Sequence, residues 1–327
     1  EHNPNYAGAY NNRGSALKQS GQPDKALADF TKAIELDPKY AGAYYNRGIV
    51  YNDSGQPIKA IPDFTKAIEL NAKYFEAYYD RAIAFNKSGQ PAKAISDYTM
   101  TIELDPKHVR AYVNRGNIYN NTGRREQAIS DYTKAIELDP KNADAYNNRG
   151  SACSGAGKLN EAVSDCTKAI ELNPNYAFAY NNRGFAYNKL GQPQQAILDF
   201  SKAIELDPKF AGAYFNRGIA YKKAGQNDKA ISDYNKAIEL DPKNSFAYNN
   251  RGFAYSDSGQ LDEAISNYNK AIELNPKYAG SYANRGVANA KLGKMEDAKT
   301  DLRRAIQLDP GLKESLTKKA EELHLDL

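Results

Sequence analysis

A segment of 34 residues recurs nine times in this chain, without insertion or deletion between the copies. Tyrosine occupies the fourth place of every copy, counted from the first residue of that copy. The copies begin at Ala7, Ala41, Phe75, Val109, Ala143, Ala177, Ala211, Ser245 and Ala279. A fixed period of this length predicts a stacked array of one small unit, and not the two globular domains that 327 residues would otherwise suggest.

Each copy contains two amphipathic segments on either side of a constant glycine. In the seventh copy, Tyr214, Gly218 and Tyr221 share one face at helical spacing, and a second apolar stripe follows Gly225. Gly225 suits the C-terminal cap of the first helix, because a positive φ costs little only for glycine. Pro242 ends the second helix, because the residue before a proline disfavours the helical conformation. Each copy is therefore predicted to form helix, turn, helix, turn.

Two places in the copies carry small side chains, which predicts close packing of the helices. The eighth place is glycine, with Ala82 as the one exception, and the twentieth place is alanine in every copy. Side chains this small let two helix axes approach, and the large tyrosines between them fill the grooves. No copy can bury its apolar stripe alone, so neighbouring copies are expected to complete the core.

This pattern resembles that of the tetratricopeptide repeat family over residues 7–310. In the seventh copy the resemblance is carried by Tyr214, Gly218, Tyr221, Ala230, Tyr234, Ala237 and Pro242. It implies an all-α fold, a right-handed α-solenoid (superhelix) of antiparallel helix pairs. The first helices of such a fold line a concave groove that binds extended peptides or a partner helix. The expected repeats are residues 7–40, 41–74, 75–108, 109–142, 143–176, 177–210, 211–244, 245–278 and 279–310.

The two ends of the chain depart from the repeat. Residues 1–6 read EHNPNY and resemble ELNPNY at 171–176, so we expect them to be the tail of a truncated upstream repeat or lead-in, in a fragment lacking its N-terminus. A stripe through Leu316 and Ala320 predicts that residues 311–327 form a capping helix over the last apolar face. The first repeat has no predecessor in this chain, and its uncovered stacking face would permit end-to-end self-association.

Arginine occupies the seventh place of every repeat, and aspartate follows sixteen residues later in eight of them. Antiparallel helices joined by a tight turn bring these places together, so we predict a structural ion pair between the two helices of each repeat. A ladder of arginines for anionic ligands is the alternative. Asn267 replaces the aspartate in the eighth repeat, which predicts that Arg251 is the least restrained arginine.

Asparagine precedes this arginine in eight repeats, at a place where packing does not require it. Its amide can both donate to and accept from a peptide bond, so a ladder of asparagines suits an extended main chain. In similar tetratricopeptide repeat proteins this asparagine lines the groove and binds the ligand backbone, and the resemblance implies that role here. The candidates are Asn12, Asn46, Asn114, Asn148, Asn182, Asn216, Asn250 and Asn284, with Asp80 at this place in the third repeat. Hydrogen bonding within the scaffold is the alternative.

Specificity is expected from variable places on the first helices. Five phenylalanines in repeats six to eight predict an apolar pocket for a ligand side chain: Phe178, Phe185, Phe215, Phe246 and Phe253. Packing against adjacent helices is the alternative for these rings. A second, smaller candidate in repeats two and three consists of Tyr45, Ile49, Tyr79 and Ile83.

Two repeats carry local irregularities. Pro62 lies inside the second helix of repeat two and predicts a bend near its start. In repeat five, Cys153 and Cys166 each replace an aromatic residue, and we expect two buried thiols, with a disulfide as the alternative. The loss of two rings also predicts a loosened joint in this repeat.

Other functional classes find little support in the sequence. His2, His108 and His324 are far apart and Cys153 has no nearby histidine, so we predict no enzyme activity, no metal site and no cofactor. The net charge is only +4 and basic residues form no run, which argues against nucleic acid as a partner. No apolar stretch approaches membrane-spanning length. The cellular location stays open, with the cytoplasm slightly favoured.

These observations together predict a non-catalytic scaffold that binds an extended peptide or partner segment, through the asparagine ladder, in a concave groove. The expected partner is a protein or peptide. Two alternatives remain, a structural module that self-associates and the targeting arm of a larger enzyme whose catalytic domain lies outside this chain.

Overall fold

The described part of the chain is built from helices and the short turns between them. The computed structural model describes residues 6–326, and over that range it contains nineteen α-helices, one 3₁₀ helix and no strand. The chain falls into two compact units, an N-terminal unit that ends at Ala156 and a C-terminal unit that begins at Gly157. The predicted all-α fold is confirmed. The expectation for residues 1–6 lies outside the described residues, apart from Tyr6.

First and second helices of the predicted repeats alternate along the chain. The N-terminal unit contains α1 (Ala7–Gln19), α2 (Pro23–Leu36), α3 (Ala41–Asp53), α4 (Pro57–Leu70), α5 (Phe75–Lys87), α6 (Pro91–Leu104), α7 (Val109–Asn121), α8 (Arg125–Leu138) and α9 (Ala143–Gly155). The C-terminal unit contains α10 (Leu159–Leu172), α11 (Ala177–Lys189), α12 (Pro193–Leu206), α13 (Ala211–Lys223), α14 (Asn227–Leu240), α15 (Ser245–Asp257), α16 (Leu261–Leu274), α17 (Ala279–Lys291), α18 (Met295–Leu308), a 3₁₀ helix at Pro310–Leu312 and α19 (Lys313–Glu322). Odd numbers up to α17 are first helices, and even numbers are second helices.

The turn between the two helices of a repeat depends on glycine. Gly225 has a φ of 72°, in the left-handed region that residues with a side chain rarely adopt. This conformation brings the N–H of Gln226 back to the carbonyl of Tyr221 at 2.9 Å, which closes the end of α13. After α14 the chain is in a near-extended conformation at Asp241, whose side chain accepts from the N–H of Lys243 at 3.2 Å. This short turn leads into α15.

The core lies between neighbouring repeats as well as within each repeat. Tyr234 is 1% exposed and packs with Ala230 of its own helix and with Ala254 of the next first helix. A Cβ atom at Gly218 would lie 2.6 Å from Cε1 of this ring, so the missing side chain lets α13 and α14 approach closely. The predicted role of the small places is confirmed at this contact.

The last helix covers the apolar end of the C-terminal unit. Leu316 and Ala320 of α19 are buried in one cluster with Leu302 of α18. The structure thus confirms a C-terminal capping helix, whose helical bounds are Lys313–Glu322.

The irregular repeats keep regular helices. α4 runs from Pro57 to Leu70 with Pro62 inside it, so this proline does not end the helix. Cys153 and Cys166 are both buried, as expected. The bend at Pro62 and the loosened joint in repeat five stay predictions.

Candidate functional site

The asparagines at the sixth place hydrogen-bond to the preceding first helix. In the N-terminal unit, Asn46 Nδ2 donates to Asn11 Oδ1 at 2.9 Å. In the C-terminal unit, Asn216 Nδ2 donates to Asn181 Oδ1 at 3.0 Å. The same type of bond, at 3.0–3.1 Å, joins Asn114 to Tyr79 Oη, Asn148 to Asn117 Oδ1 and Asn284 to Asn249 Oδ1. Each of these amide nitrogens therefore bridges two neighbouring repeats.

These bonds engage the amide nitrogen of each asparagine and leave most of the amide oxygens without a hydrogen bond. In the described structure no hydrogen bond reaches Oδ1 of Asn46, Asn114, Asn216 or Asn284. Asn148 and Asn182 differ, because their Oδ1 atoms accept from the adjacent asparagine of the same helix at 3.2 and 3.5 Å. Hydrogen bonds within the scaffold therefore engage the amide nitrogens of Asn46, Asn114, Asn148, Asn216 and Asn284. The role of its oxygens in ligand binding stays a prediction.

The acceptors at the fifth place were not predicted from the sequence. Asn11 and Asn249 are buried there, one residue before a ladder asparagine. A signal was present, because repeats one, five, six and eight all carry an Asn-Asn doublet before the arginine. Since a buried amide needs a hydrogen-bond partner, the doublet could have predicted bonds between repeats.

Three places interrupt the ladder. Asp80 accepts from Oη of Tyr45 at 2.7 Å, and burial raises the pKa of this carboxyl above its ordinary value, although the bond to Tyr45 opposes that shift. Asn250 finds no amide acceptor at the fifth place of repeat seven, so its Nδ2 donates to the carbonyl of Phe246 at 3.0 Å. Asn12 is exposed, on the first helix that the structure describes.

Four of the five candidate phenylalanines are exposed on first helices of the C-terminal unit. The exposed fractions are 55% for Phe178, 48% for Phe246, and 37% for both Phe185 and Phe253. We name these four residues the phenylalanine surface. Phe215 differs, because it is half-buried and its ring packs against Tyr234 at a centroid distance of 6.1 Å. Phe215 therefore packs against an adjacent helix, as the alternative interpretation predicted.

The scaffold supports two rings of the phenylalanine surface from one side. The ring of Phe178 lies 4.8 Å from that of Phe210, and the ring of Phe246 lies 4.9 Å from that of Tyr278. In both cases an aromatic residue at the end of the repeat holds the ring at its second place. Aromatic pairs at such distances fix the orientation of a ring, so these two are held in place while about half of each stays open to solvent.

The smaller apolar candidate, in the N-terminal unit, is largely engaged by the scaffold. The ring of Tyr79 lies 4.6 Å from that of His108, and burial raises the pKa of its hydroxyl. Tyr45, Ile49 and Ile83 are partly buried against core clusters. These side chains therefore offer less open surface to a ligand than the phenylalanine surface does.

The arginines of the seventh place form the predicted ion pairs. Nε and Nη2 of Arg47 each donate to one carboxylate oxygen of Asp63, both at 2.8 Å. These hydrogen bonds are the main cause of the raised pKa of Arg47. Nη1 donates to Thr31 Oγ1 of the preceding repeat at 3.1 Å, a partner that was not predicted. With three donors engaged, this guanidinium serves the scaffold and not an anionic ligand.

Two arginines depart from this arrangement. Arg251 meets Asn267, to which Nε donates at 2.8 Å, and its Nη1 donates to Asn235 at 2.6 Å, so it lacks a two-oxygen ion pair, as expected. Arg13 keeps its pair with Asp29, but its side chain is 64% exposed.

Family models match most of the repeats. The model described as tetratricopeptide repeat matches residues 7–40, 41–74, 143–176, 177–210 and 211–244, more than half of the chain. The chain belongs to the tetratricopeptide repeat family. Further models of tetratricopeptide repeats match residues 64–96, 116–154, 233–266, 254–293 and 279–312.

Several solved tetratricopeptide repeat proteins are similar to this chain. One from Parabacteroides merdae is 24% identical over 74% of this chain and 97% of its own, with a TM-score of 0.61, and shares the fold. MamA is 32% identical over 52% of this chain and 93% of its own, with a TM-score of 0.45. YrrB, described as a TPR protein with an unusual peptide-binding site, is 27% identical over 56% of this chain and 95% of its own, with a TM-score of 0.45. A comparison with curated proteins found no match.

Membership in the tetratricopeptide repeat family supports a protein–protein interaction scaffold, and the family is generally non-catalytic. Within residues 6–326, no group of three or more His, Cys, Asp or Glu side chains is placed to hold a metal ion. None of the described helices of this repeat protein is long and apolar enough to cross a membrane.

Proposed function

We propose that this tetratricopeptide repeat protein binds an extended segment of a partner protein across the first helices α11, α13, α15 and α17. One observation carries the proposal. Exposed phenylalanine rings on α11 and α15 alternate with unengaged amide oxygens on the neighbouring first helices α13 and α17. The family supports protein–protein interaction, and these side chains supply the chemistry of the contact.

The amide oxygens supply recognition of the main chain. Oδ1 of Asn216 and of Asn284 can accept from the N–H groups of an extended peptide. Because Nδ2 of each amide is already bonded to the preceding repeat, the oxygen is oriented before a ligand arrives. Such preorganisation lowers the entropic cost of binding. Each hydrogen bond made in this way contributes about 0.5–1.5 kcal/mol.

The phenylalanine surface supplies the apolar contact. Fully burying one phenylalanine side chain contributes about 1.5–3 kcal/mol relative to leaving it in water. The four rings are 37–55% exposed, so a partner could still remove a large apolar area from water. Their combined burial would exceed the contribution of one or two amide hydrogen bonds, and apolar side chains should therefore dominate the affinity.

A peptide-display selection that uses the wild-type protein as its target tests this proposal. We expect selected peptides, measured by isothermal titration calorimetry, to bind the double variant Phe178→Ser/Phe246→Ser at least about tenfold more weakly, a loss of about 1.4 kcal/mol. Leu198→Ser is the matched control, because Leu198 is 71% exposed on the second helix α12. Selected peptides that bind both variants with equal affinity, or a selection that enriches no peptide, would contradict the proposal.

A further inference from the structure

Ammonium groups lie against two rings of the phenylalanine surface. Nζ of Lys189 is 4.8 Å from the centroid of the Phe185 ring, and Nζ of Lys222 is 3.6 Å from the centroid of the Phe253 ring. A cation at such a distance is attracted by the negative face of the ring. Each of these two exposed rings is therefore paired with a positive charge at the same surface.

Positive charge prevails at the C-terminal ends of these first helices. The ionisable residues in their last two places are Lys189, Lys222, Lys223, Asp257 and Lys291. Asp257 accepts from Lys222 at 2.9 Å, so this pair is neutral as a unit. Over the described part of the chain, no carboxylate oxygen lies within 4.0 Å of Nζ of Lys189, Lys223 or Lys291. Lys223 donates instead to the carbonyl of Asn188 at 3.0 Å.

The described residues of the N-terminal unit, 6–156, do not repeat this combination. At the corresponding helix ends, Lys18 lies 3.4 Å from the carboxylate of Asp53, and Lys87 donates to Asn52 Oδ1 at 3.4 Å. The large apolar residues exposed there are Tyr6, in the segment before α1, and Ile58, on a second helix. The exposed ring of Phe185, with the ammonium group of Lys189 beside it and no carboxylate paired to that group, thus marks the C-terminal unit.

We infer that the segment bound by the phenylalanine surface is an acidic peptide in which apolar side chains alternate with aspartate or glutamate. This inference rests on the proposed function and specifies its partner. In an extended chain, residues i and i+2 point to the same side, about 6.5–7 Å apart. An apolar side chain that contacts the face of Phe185 would place a carboxylate two residues later within reach of Lys189. Opposite charges also speed the encounter of the two partners.

Designed peptides test the charge requirement directly. The probe is a fluorescein-labelled peptide of three Phe-Ser-Glu-Ser units, in which phenylalanine and glutamate share one side of the extended chain. Three matched peptides replace all glutamates by glutamine, all glutamates by lysine, or all phenylalanines by serine. Fluorescence anisotropy with the full chain should show the acidic aromatic peptide binding at least tenfold more tightly than each of the other three. Its affinity should fall as NaCl is raised, because salt screens the charges.

Two variants separate recognition from stability. Lys189→Gln/Lys223→Gln should weaken binding of the glutamate peptide at least fivefold and leave binding of the glutamine peptide unchanged. Lys236→Gln is the matched control, because Lys236 lies on the second helix α14 and pairs with Glu239 at 2.6 Å. Thermal unfolding monitored by circular dichroism should be the same for the double variant and the control. A double variant that loses stability but keeps its peptide affinity would overturn the inference.

The remaining outcomes distinguish the inference from the proposed function. If the glutamine or lysine peptide binds as tightly as the glutamate peptide, the inference is overturned while peptide binding stands. If peptides from the display selection bind and none of the four designed peptides binds, the inference is again overturned while peptide binding stands. If the selection also yields no binder, both are overturned. If a twelve-nucleotide oligothymidylate binds more tightly than any peptide, the lysines bind nucleic acid and the inference is overturned.

Discussion

One arginine in an interior repeat joins three helices. Arg217 on α13 binds both carboxylate oxygens of Asp233 on α14 at 2.7 Å and donates to Ser201 on α12 at 3.0 Å. The side chain of Asp233 is only 8% exposed, so this guanidinium compensates a nearly buried charge. Apolar contacts alone would allow neighbouring helices to slide, whereas these directional bonds define their register.

Removal of the seventh-place arginine should lower stability most in repeats where it faces a charged aspartate. We expect Arg217→Met to destabilise the packing of α13 on α14 by roughly 3–5 kcal/mol, because Asp233 would remain buried without its partner. Arg251→Met is the matched comparison and should cost less, because Arg251 faces the uncharged Asn267. Hydrogen exchange of α14 and α16, followed by mass spectrometry, measures both effects. Equal loss of protection in the two variants would contradict this prediction.

Asp80 should make stability depend on pH in a predictable direction. Burial raises its pKa above the ordinary value of 3.8, so the folded state binds the proton more tightly than the unfolded state. The stability contributed by this group is therefore complete below about pH 3.8 and is lost as pH rises through the raised pKa. Asp80→Asn, which restores the ladder residue, should stabilise the protein at pH 7, and this advantage should vanish near pH 3.

Urea unfolding of the wild type and Asp80→Asn at pH 7 and pH 3 measures this difference. Tyr45→Phe is a useful control, because the hydroxyl of Tyr45 donates to Asp80 and lowers its pKa. Without that bond, the raised pKa should rise further, and the pH dependence should extend to higher pH. An advantage of Asp80→Asn that is the same at both pH values would show that the charge of Asp80 is not its cause.

At the scale of the helix pair, the contact between Gly218 and Tyr234 sets how closely two helices approach. Glycine-to-alanine changes inside helices normally stabilise by about 0.8–1.0 kcal/mol through helix propensity. At Gly218 the added Cβ would lie 2.6 Å from the Tyr234 ring, so we expect Gly218→Ala to destabilise by roughly 1–3 kcal/mol. Gly212→Ala on the same helix is the control, because its nearest neighbour would be the Phe210 ring at 3.2 Å. Urea midpoints that move in the same direction for both variants would contradict this expectation.

The elements that each repeat specifies locally could be predicted from the sequence. Gly225 and Pro242 mark a turn and a helix end through their own backbone preferences, and the apolar stripes assign the packed faces. The contacts between repeats could not be predicted in the same way. The bonds from Asn46 to Asn11 and from Arg47 to Thr31 depend on how one first helix is rotated against the previous repeat. A 34-residue pattern does not contain that rotation.

The candidate site shows the same division between local and non-local information. Placement of the phenylalanines on the first helices followed from the repeat phase. Their exposure did not, because Phe215 and Phe185 lie on equivalent helices and only Phe185 is exposed. The difference arises from their places, the fifth and the ninth, and from the neighbour that each meets, such as Tyr234 for Phe215.

At the scale of the whole molecule, the first and last helices differ in how far apolar side chains are covered. On α1 the alanine at the third place, Ala9, is exposed, whereas Ala43 at the same place of repeat two is fully buried. At the other end, α19 covers the cluster around Leu302. While the capping helix stays in place, this apolar cluster is therefore covered and does not serve self-association, the alternative to peptide binding.

Loss of the capping helix should consequently expose the apolar cluster around Leu302 as a stacking face. We expect Leu316→Ser to release α19, because a hydroxyl would enter the apolar cluster that Leu316 fills with Ala320 and Leu302. The exposed cluster should then raise the apparent mass of the protein with concentration, measured by size-exclusion chromatography with light scattering, relative to the wild type. Leu198→Ser, at a residue that is 71% exposed, should leave the mass unchanged. If Leu316→Ser keeps the mass of the wild type at every concentration, burial of this end by α19 is not what limits association.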